Sequence, residues 1–136
     1  MTYALSEALQ VAVFETLTGD AALTAIVGSS IFDAEPAGAI PDIYVSLGVE
    51  TVRDRSTKSG LAAAHDLVVS VVTTAAGFKE AKAAAGIISD ALVGAKPPLT
   101  RGGVCGIWFV RARARRVRTQ DTRRIDLTFR VLVEDE

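Results

Sequence analysis

The chain has 136 residues, of which 49% are hydrophobic and 23% charged, and its formal net charge is −1. These values are typical of one globular domain, so we expect a single domain over residues 1–136. No apolar run approaches the roughly 20 residues that cross a bilayer, and no basic segment precedes an apolar stretch at the N-terminus. One cysteine and one histidine cannot build an internal disulfide or a zinc site. The sequence therefore argues against a membrane protein, an exported protein, a disulfide scaffold and a metalloprotein.

The first segment has the apolar spacing of an amphipathic helix. Residues three and four positions apart are apolar: Leu5, Leu9, Ala12, Val13 and Leu17. Gly19 ends this helix, and Asp20 is a good N-cap for a second, short helical turn that Gly28 stops. We therefore predict a helix pair at the start of the chain.

The next segment predicts two strands separated by a long loop. Residues 31–41 form a connection, after which Ile43, Val45, Leu47 and Val49 alternate with polar or small residues, as in a half-buried strand. Residues 50–64 are polar and predict a mobile loop, and loops of about 15 residues in compact domains are more often functional than idle. The β-branched run over residues 67–73 predicts the second strand.

The remaining elements predict a helix and a hairpin. Residues 79–93 carry an apolar stripe with several alanines, which let a helix pack closely on a sheet. Residues 107–118 and 125–133 predict two strands, joined by a turn at residues 119–122. The fold class is α+β: a four-stranded, mainly antiparallel sheet with two main helices on one face, plus a short N-terminal helical turn.

The sequence contains no arrangement typical of catalysis. His65 has only Asp66 beside it, which points to the opposite face of a strand, so we interpret it as a loop or strand-edge histidine. Cys105 lies in the segment Gly102–Gly106, where a small buried residue at a bent strand entry explains it better than a reactive thiol. That glycine cluster lacks the motif of a phosphate-binding loop, and the acidic residues are scattered. We therefore predict no enzyme, cofactor or metal, and disfavour a hydrolase built on His65 or Cys105.

Arginine is concentrated in residues 111–124, which hold seven arginines against one acid, Asp121, a local balance of +6. In a strand, Arg111, Arg113 and Arg115 share one face at a spacing of about 6.6–6.8 Å. Trp108 would then lie on the other, apolar face with Val110, Ala112 and Ala114, and so belong to the core. Such a row of arginines can follow a phosphate backbone, meet a row of carboxylates or remain a solvated face.

Crowding of like charges favours a partner for this basic segment. Arg118 and Arg123 flank the predicted turn and would repel each other across the hairpin. We predict a partner surface made of the basic residues of this hairpin and of the 50–64 loop: Arg53, Arg55, Lys58, Arg111, Arg113, Arg115, Arg116, Arg118, Arg123 and Arg124.

Several short stretches, taken in their order and spacing, resemble one protein family. They are Ala4-Leu5 through Leu9-Gln10, the helix-turn from Leu17 to Val27, Ile31-Phe32-Asp33 followed by Pro36, Pro41 before a strand, a small-residue helix ending near Ala91-Leu92, and the closing segment from Ile125 to Glu134. The chain resembles the tail-completion or tail-terminator proteins, which join tail to head in long-tailed bacteriophages and related gene transfer agents.

This resemblance implies a structural virion protein at the head–tail junction, made in the cytoplasm of the host bacterium. Family members cap the head-proximal end of the tail tube as a ring of six, stop tube growth and join the tail to the head connector. The implied partners are further copies of the chain, the tail tube protein, the connector, and DNA that passes through the lumen without sequence-specific binding. The alternative is a small nucleic-acid-binding domain that uses the hairpin of residues 111–124.

Overall fold

A computed structural model describes residues 3–135 and shows three helices on one face of a five-stranded sheet with the strand order β1-β2-β3-β5-β4. The elements in chain order are α1 Ser6–Thr18, α2 Ala21–Val27, β1 Ile31–Phe32, β2 Ile43–Asp54, β3 Leu61–Thr73, α3 Lys79–Leu92, β4 Gly103–Val117 and β5 Thr122–Asp135. The α+β class, both N-terminal helical segments and the later helix are therefore confirmed, and the four predicted strands are present.

The helix pair forms for the reasons that its sequence indicates. Leu9, Val13 and Leu17 are buried on one side of α1. The Asp20 carboxylate accepts a hydrogen bond from the Leu23 backbone N–H at 3.0 Å, which caps α2. Gly28 ends α2 with φ +61°, in the left-handed region that favours glycine.

The sheet has one strand more than predicted. β1 contains two residues and pairs parallel to β2, with Ile31 opposite Val45 and Phe32 opposite Ser46, so that the sheet is mixed. A two-residue strand is too short to show an alternating pattern, so it could not be predicted from the sequence. The other neighbouring strands pair antiparallel.

The prediction of a long mobile loop over residues 50–64 is wrong. β2 continues to Asp54 and β3 begins at Leu61, and their pairing runs from Glu50 opposite Leu67 to Asp54 opposite Ala63. Only residues 55–60 connect the strands. On β2 this end of the hairpin is mostly exposed, whereas Ala63, Ala64 and His65 of β3 are buried. The polar residues of β2 are therefore compatible with sheet hydrogen bonds and gave a misleading signal.

The core lies between the helices and one face of the sheet. From β3 and β5, Val69, Val71, Leu127 and Phe129 face the helices and are buried. The alanines of α3 that face the sheet are also buried: Ala81, Ala84 and Ala85. The sheet face turned away from the helices, here called the outer face, carries the side chains of the intervening strand positions.

The entry to β4 requires glycine at one position. Gly102 has φ +68°, and a Cβ atom there would lie 2.9 Å from Leu5 Cδ1 and in conflict with the Glu134 carbonyl oxygen. The next residue, Gly103, has open space at the same place. The bent strand entry predicted for the glycine cluster is thus built on Gly102.

Candidate partner interface on the β4–β5 hairpin

Strand β4 is a long edge strand. It has 15 residues, and within residues 3–135 it pairs only with β5. Every residue from Trp108 to Arg116 is exposed. The outward backbone N–H and C=O groups of such an edge are a template for pairing with another chain.

The arginines of β4 form a row on the outer face. Arg111 lies opposite Thr128, Arg113 opposite Asp126 and Arg115 opposite Arg124. These β5 residues alternate with the buried positions that face the helices, so directly opposite residues share the outer face. The prediction that Arg111, Arg113 and Arg115 share one face is therefore confirmed.

The prediction that Trp108 belongs to the apolar face and the core is wrong. The pairing shifts by one residue between Phe109 and Arg111, as in a β-bulge, which places Val110 as the extra residue. Upstream of this bulge, Trp108 lies opposite Arg130 on the outer face and is 51% exposed. Phe109 takes the helix-side position and makes an edge-on contact with Phe129, with ring centroids 6.1 Å apart.

A polar network on the outer face holds Arg124. Its guanidinium donates to Glu35 Oε1 at 3.0 Å and to Asp126 Oδ1 at 2.9 Å. Burial alone would lower the pKa of Arg124, but the hydrogen bonds and charges of Asp126 and Glu35 raise it, so it stays protonated. The Tyr44 hydroxyl donates to Glu35 Oε2 at 2.7 Å, and the Ser70 hydroxyl donates to Asp126 Oδ1 at 2.6 Å.

The predicted crowding of Arg118 against Arg123 does not occur, because the pairing is different. Arg116 lies opposite Arg123 and Arg115 opposite Arg124, while Arg118 lies in the turn after β4 ends. Each close pair is offset locally: Arg116 is 3.3 Å from the Asp121 carboxylate, and Arg115 is 3.9 Å from Asp126.

Arg123 is held by neutral groups. Its guanidinium donates to the Ala75 carbonyl oxygen at 2.9 Å and lies over the Phe78 ring, 5.7 Å from the centroid. A guanidinium above an aromatic face is attracted by the ring electrons. Arg123 therefore links β5 to the segment that precedes α3.

The remaining basic candidates lie in two separate places. For Arg111, Arg113 and Arg118 the structure of residues 3–135 shows no ion pair, and the same holds for Arg53, Arg55 and Lys58. Arg53 of β2 lies opposite Ala64 of β3, whereas Arg111 of β4 lies opposite Thr128 of β5. Two strands separate β2 from β4 in the sheet. The structure therefore divides the predicted surface into a β4–β5 part and a β2–β3 hairpin part.

The β4–β5 part borders a groove of about 620 Å³ on the outer face. Its basic wall contains Arg111, Arg113, Arg115 and Arg124, and its acidic groups come from Asp126 and from the connection after β1: Asp33 and Glu35. The groove is thus lined by both charges rather than by arginine alone.

The interpretation of His65 as a loop or strand-edge residue is wrong. His65 is fully buried in β3, and its Nδ1 lies 2.9 Å from Glu50 Oε2. Glu50 also accepts hydrogen bonds from the hydroxyls of Ser6, at 2.8 Å, and Tyr3, at 2.9 Å. Burial would raise the pKa of Glu50, but these hydrogen bonds lower it below the ordinary value. The β2–β3 pairing that brings Glu50 to His65 was hidden by the loop prediction.

Asp66 lies on the opposite face from His65, as predicted. It forms two hydrogen bonds with Arg130, at 2.8 and 3.0 Å, which lower its pKa. Cys105 is half-buried at a second irregularity of β4, between Val104 and Gly106. His65 is therefore part of the packed sheet rather than of an open cleft.

Two further properties of residues 3–135 concern metal binding and membranes. No group of three or more His, Cys, Asp or Glu residues is placed to hold a metal ion. No single helix is long and apolar enough to cross a membrane, and only α1 and α2 together, across a bend of 77°, reach that length and composition.

Comparisons with known proteins identify the family. The family model described as "Tail completion protein gp17" matches residues 11–134. A chain in the solved structure "Virion of native gene transfer agent (GTA) particle" is 56% identical, with a TM-score of 0.92, over 98% of this chain and 99% of that chain. A comparison with curated proteins finds no match. The chain is thus a structural component of a virion tail and not an enzyme. It belongs to the tail completion protein gp17 family.

Proposed function

We propose that this protein caps the head-proximal end of the tail tube as a ring of six subunits, stops tube growth and joins the tail to the head connector. The observation that carries the proposal is the exposed β4 edge with its row of arginines. The opposite edge of the sheet is different, because β1 covers only two residues of β2. Because the two edges are unlike, we assign the β4 edge to a contact with a different surface, that of the tube or the connector, rather than to a second β4 edge.

Charge supports the same arrangement. Within the described chain, arginines without an ion pair lie on β4 and its turn, at Arg123 of β5 and on the β2–β3 hairpin. The helix layer carries acids for which the described residues show no ion pair: Glu7, Glu15, Glu80 and Asp90. A dipolar subunit attracts unlike surfaces of its neighbours. In the proposal the arginines meet acidic surfaces of a neighbouring subunit, the tube or the connector, and DNA passes through the lumen without sequence-specific binding.

Deletion of the gene in the producing strain tests the role directly. Negative-stain electron microscopy of the lysate is expected to show headless tails of irregular length beside filled heads without tails. Complementation with the intact gene provides the control and restores complete particles. Normal tailed particles from the deletion strain would rule out tail termination and head joining.

A charge reversal tests the arginine row. We expect Arg113→Glu with Arg115→Glu to abolish particle assembly, because it places carboxylates where the partner presents carboxylates. The matched control is Lys79→Glu with Lys96→Glu, which changes the net charge equally at two exposed positions outside the hairpin. Circular dichroism confirms folding of both proteins, and normal particle yields from the arginine variant would refute the assigned contact.

The tip of the β2–β3 hairpin is a second proposed contact, with a ring neighbour or the connector. Arg53, Arg55 and Lys58 are exposed there and offer trypsin three cleavage sites. We expect assembly to protect these sites from trypsin. Equal cleavage of free and assembled protein would exclude the tip from the interface.

Nucleic-acid binding is the weaker proposal, because carboxylates are interspersed with the arginines. Arg116 and Arg124 already form ion pairs at 3.3 Å or less, and Asp126 lies among the side chains of the outer-face row. We expect little affinity for free duplex DNA at about 150 mM salt. Tight binding with a loss of some 10³-fold between about 50 and 200 mM salt would instead favour a phosphate-binding hairpin.

A further inference from the structure

We propose that the exposed edge of β4 receives one extended strand from another virion protein, a strand in which acidic and apolar residues alternate. This deepens the function proposed above, because it rests on the β4 edge as an assembly contact and specifies the segment that binds there. The prediction of alternation comes from the two sides of β4, which have different chemistry.

The backbone of β4 offers the first requirement. From Phe109 to Arg116 the strand is exposed and, within the described chain, hydrogen-bonded to β5 on one side only. This length exceeds the five to six residues of a typical strand. An incoming strand would extend the sheet by backbone hydrogen bonds, while its side chains contact both faces.

The outer face supplies the acidic half of the pattern. Arg111, Arg113 and Arg115 repeat every second residue, at about 6.6–6.8 Å, which is also the repeat of side chains on an added strand. Arg111 and Arg113 have no ion pair among residues 3–135. Carboxylates at alternate positions of the incoming strand would pair with this row.

The helix side supplies the apolar half. Between α3 and β4 lies a groove of about 290 Å³, whose lining residues are mostly small or apolar. They include Ala85, Gly86 and Ser89 of α3 and Phe109, Ala112 and Ala114 of β4. Ala112 and Ala114 alternate with the arginines, so the residues of an added strand that lie between its carboxylates would enter this groove.

Within residues 3–135, no strand with a free edge carries acidic and apolar residues at alternate positions. Glu7 and Glu15 lie on α1, and Glu80 and Asp90 lie on α3. Of the acid-bearing strands, β5 is already paired on both sides, with β3 and β4, and β2 carries Glu50 and Asp54 four residues apart rather than at alternate positions. Charge complementarity therefore assigns the edge to a different protein rather than to a second copy.

Trp108 makes binding measurable, because it is the only tryptophan and lies on β4. The probe is an eight-residue peptide of alternating Glu and Val, titrated against the full chain while Trp108 fluorescence is recorded. Two N-methylated versions carry the methyl groups on the two alternate sets of backbone nitrogens, and a fourth peptide has four Glu followed by four Val. We expect the alternating peptide to bind saturably and the peptide with four Glu followed by four Val to bind at least 10-fold more weakly. Only one of the two N-methylated peptides is expected to lose binding.

Substitutions on the two sides of β4 test whether the peptide contacts both the outer face and the groove. Arg113→Glu on the outer face and Ala112→Glu in the groove are each expected to weaken binding at least 10-fold, whereas Lys96→Glu, at an exposed position outside the proposed contacts, leaves it unchanged. Equal binding of all four peptides would mean that charge attraction alone explains the binding, and this would overturn the proposal. Self-association of the chain that Ala112→Glu abolishes would make the occupant a second copy, which also overturns it.

Failure of this inference is distinguishable from failure of the proposed function. If the peptide does not bind but gene deletion gives headless tails, the strand proposal is wrong and tail completion stands. If the peptide binds as expected but deletion leaves normal particles, the strand site stands and the role in tail completion is wrong.

Discussion

Removal of the Glu50 carboxylate tests whether the contacts beneath the start of α1 stabilise the fold. This carboxylate joins three side chains: Ser6 at 2.8 Å, Tyr3 at 2.9 Å and His65 at 2.9 Å. In Glu50→Ala all three lose their partner. Tyr3 and Ser6 regain hydrogen bonds from water because they are exposed or partly exposed, but His65 is fully buried.

The magnitude follows from that difference in burial. A buried polar group left without its partner costs about 1–3 kcal/mol, and we add a few tenths for the two hydroxyls. Glu50→Ala should therefore lower the free energy of unfolding by about 1.5–3.5 kcal/mol, which is roughly 5–12 °C in melting temperature for a chain of this size. The pKa of Glu50 is lowered in the folded state, so its charge stabilises the fold above the ordinary value of 4.5, and this contribution is lost as the pH falls through the folded pKa.

Urea denaturation at neutral pH and again below the folded pKa of Glu50 measures both effects. The wild type and Glu50→Gln are expected to differ more at neutral pH than in acid, because protonation removes the charge from the wild type. The control is Glu15→Gln, an exposed acid of α1, which should change the unfolding free energy by less than about 0.5 kcal/mol. A cost below about 0.5 kcal/mol for Glu50→Ala would refute the reasoning.

Three further predictions concern single positions. Gly102→Ala should cost at least about 2 kcal/mol, because φ is +68° and the Cβ atom would clash, whereas Gly103→Ala, with open space, should cost less than about 1 kcal/mol; equal melting temperatures would contradict this. Phe129→Ala should cost about 3–5 kcal/mol because the ring is 1% exposed, and Phe109→Ala, 48% exposed, clearly less; urea denaturation compares the two, and a similar cost for both would contradict the prediction. Burial and the hydrogen bond to a carboxylate raise the pKa of Tyr44 to about 12, so its neutral form stabilises the fold up to a pH of about 10 and this contribution is lost above it. Ultraviolet titration of the phenols should show a phase near pH 12 that Tyr44→Phe lacks, and identical curves would contradict it.

Elements with a long, regular pattern could be predicted from the sequence. The spacing of Leu9, Val13 and Leu17 determines which face of α1 is buried, and the alternation in residues 125–133 places one face of β5 in the core. In both cases the burial of apolar surface stabilises the element, and the spacing of the apolar residues shows directly which face is buried.

The remaining features depend on pairing between distant residues. The bulge after Phe109 reverses the faces of β4, and no local residue type marks it, so Trp108 was assigned to the wrong side. Glu50 and His65 meet only because β2 and β3 pair beyond the regular apolar pattern. The composition did indicate an unusual arginine segment. It could not show that Arg124 already has partners, because Glu35 and Asp126 reach it only through the fold.

The pairing of β3 with β5 also determines when the proposed interface can exist during synthesis. β3 follows β2 through a short connection, but its other edge pairs with β5 from Leu61 opposite Asp135 to Thr73 opposite Arg123. Before β5 has been synthesised, the nascent chain therefore exposes a long edge of β3 in the middle of the future sheet. Contacts between residues so distant in sequence also form slowly. Because β5 is the only strand among residues 3–135 that pairs with β4, the arginine row is displayed only on a chain whose core has closed. An incompletely folded subunit would thus lack the surface through which it is proposed to assemble into the particle.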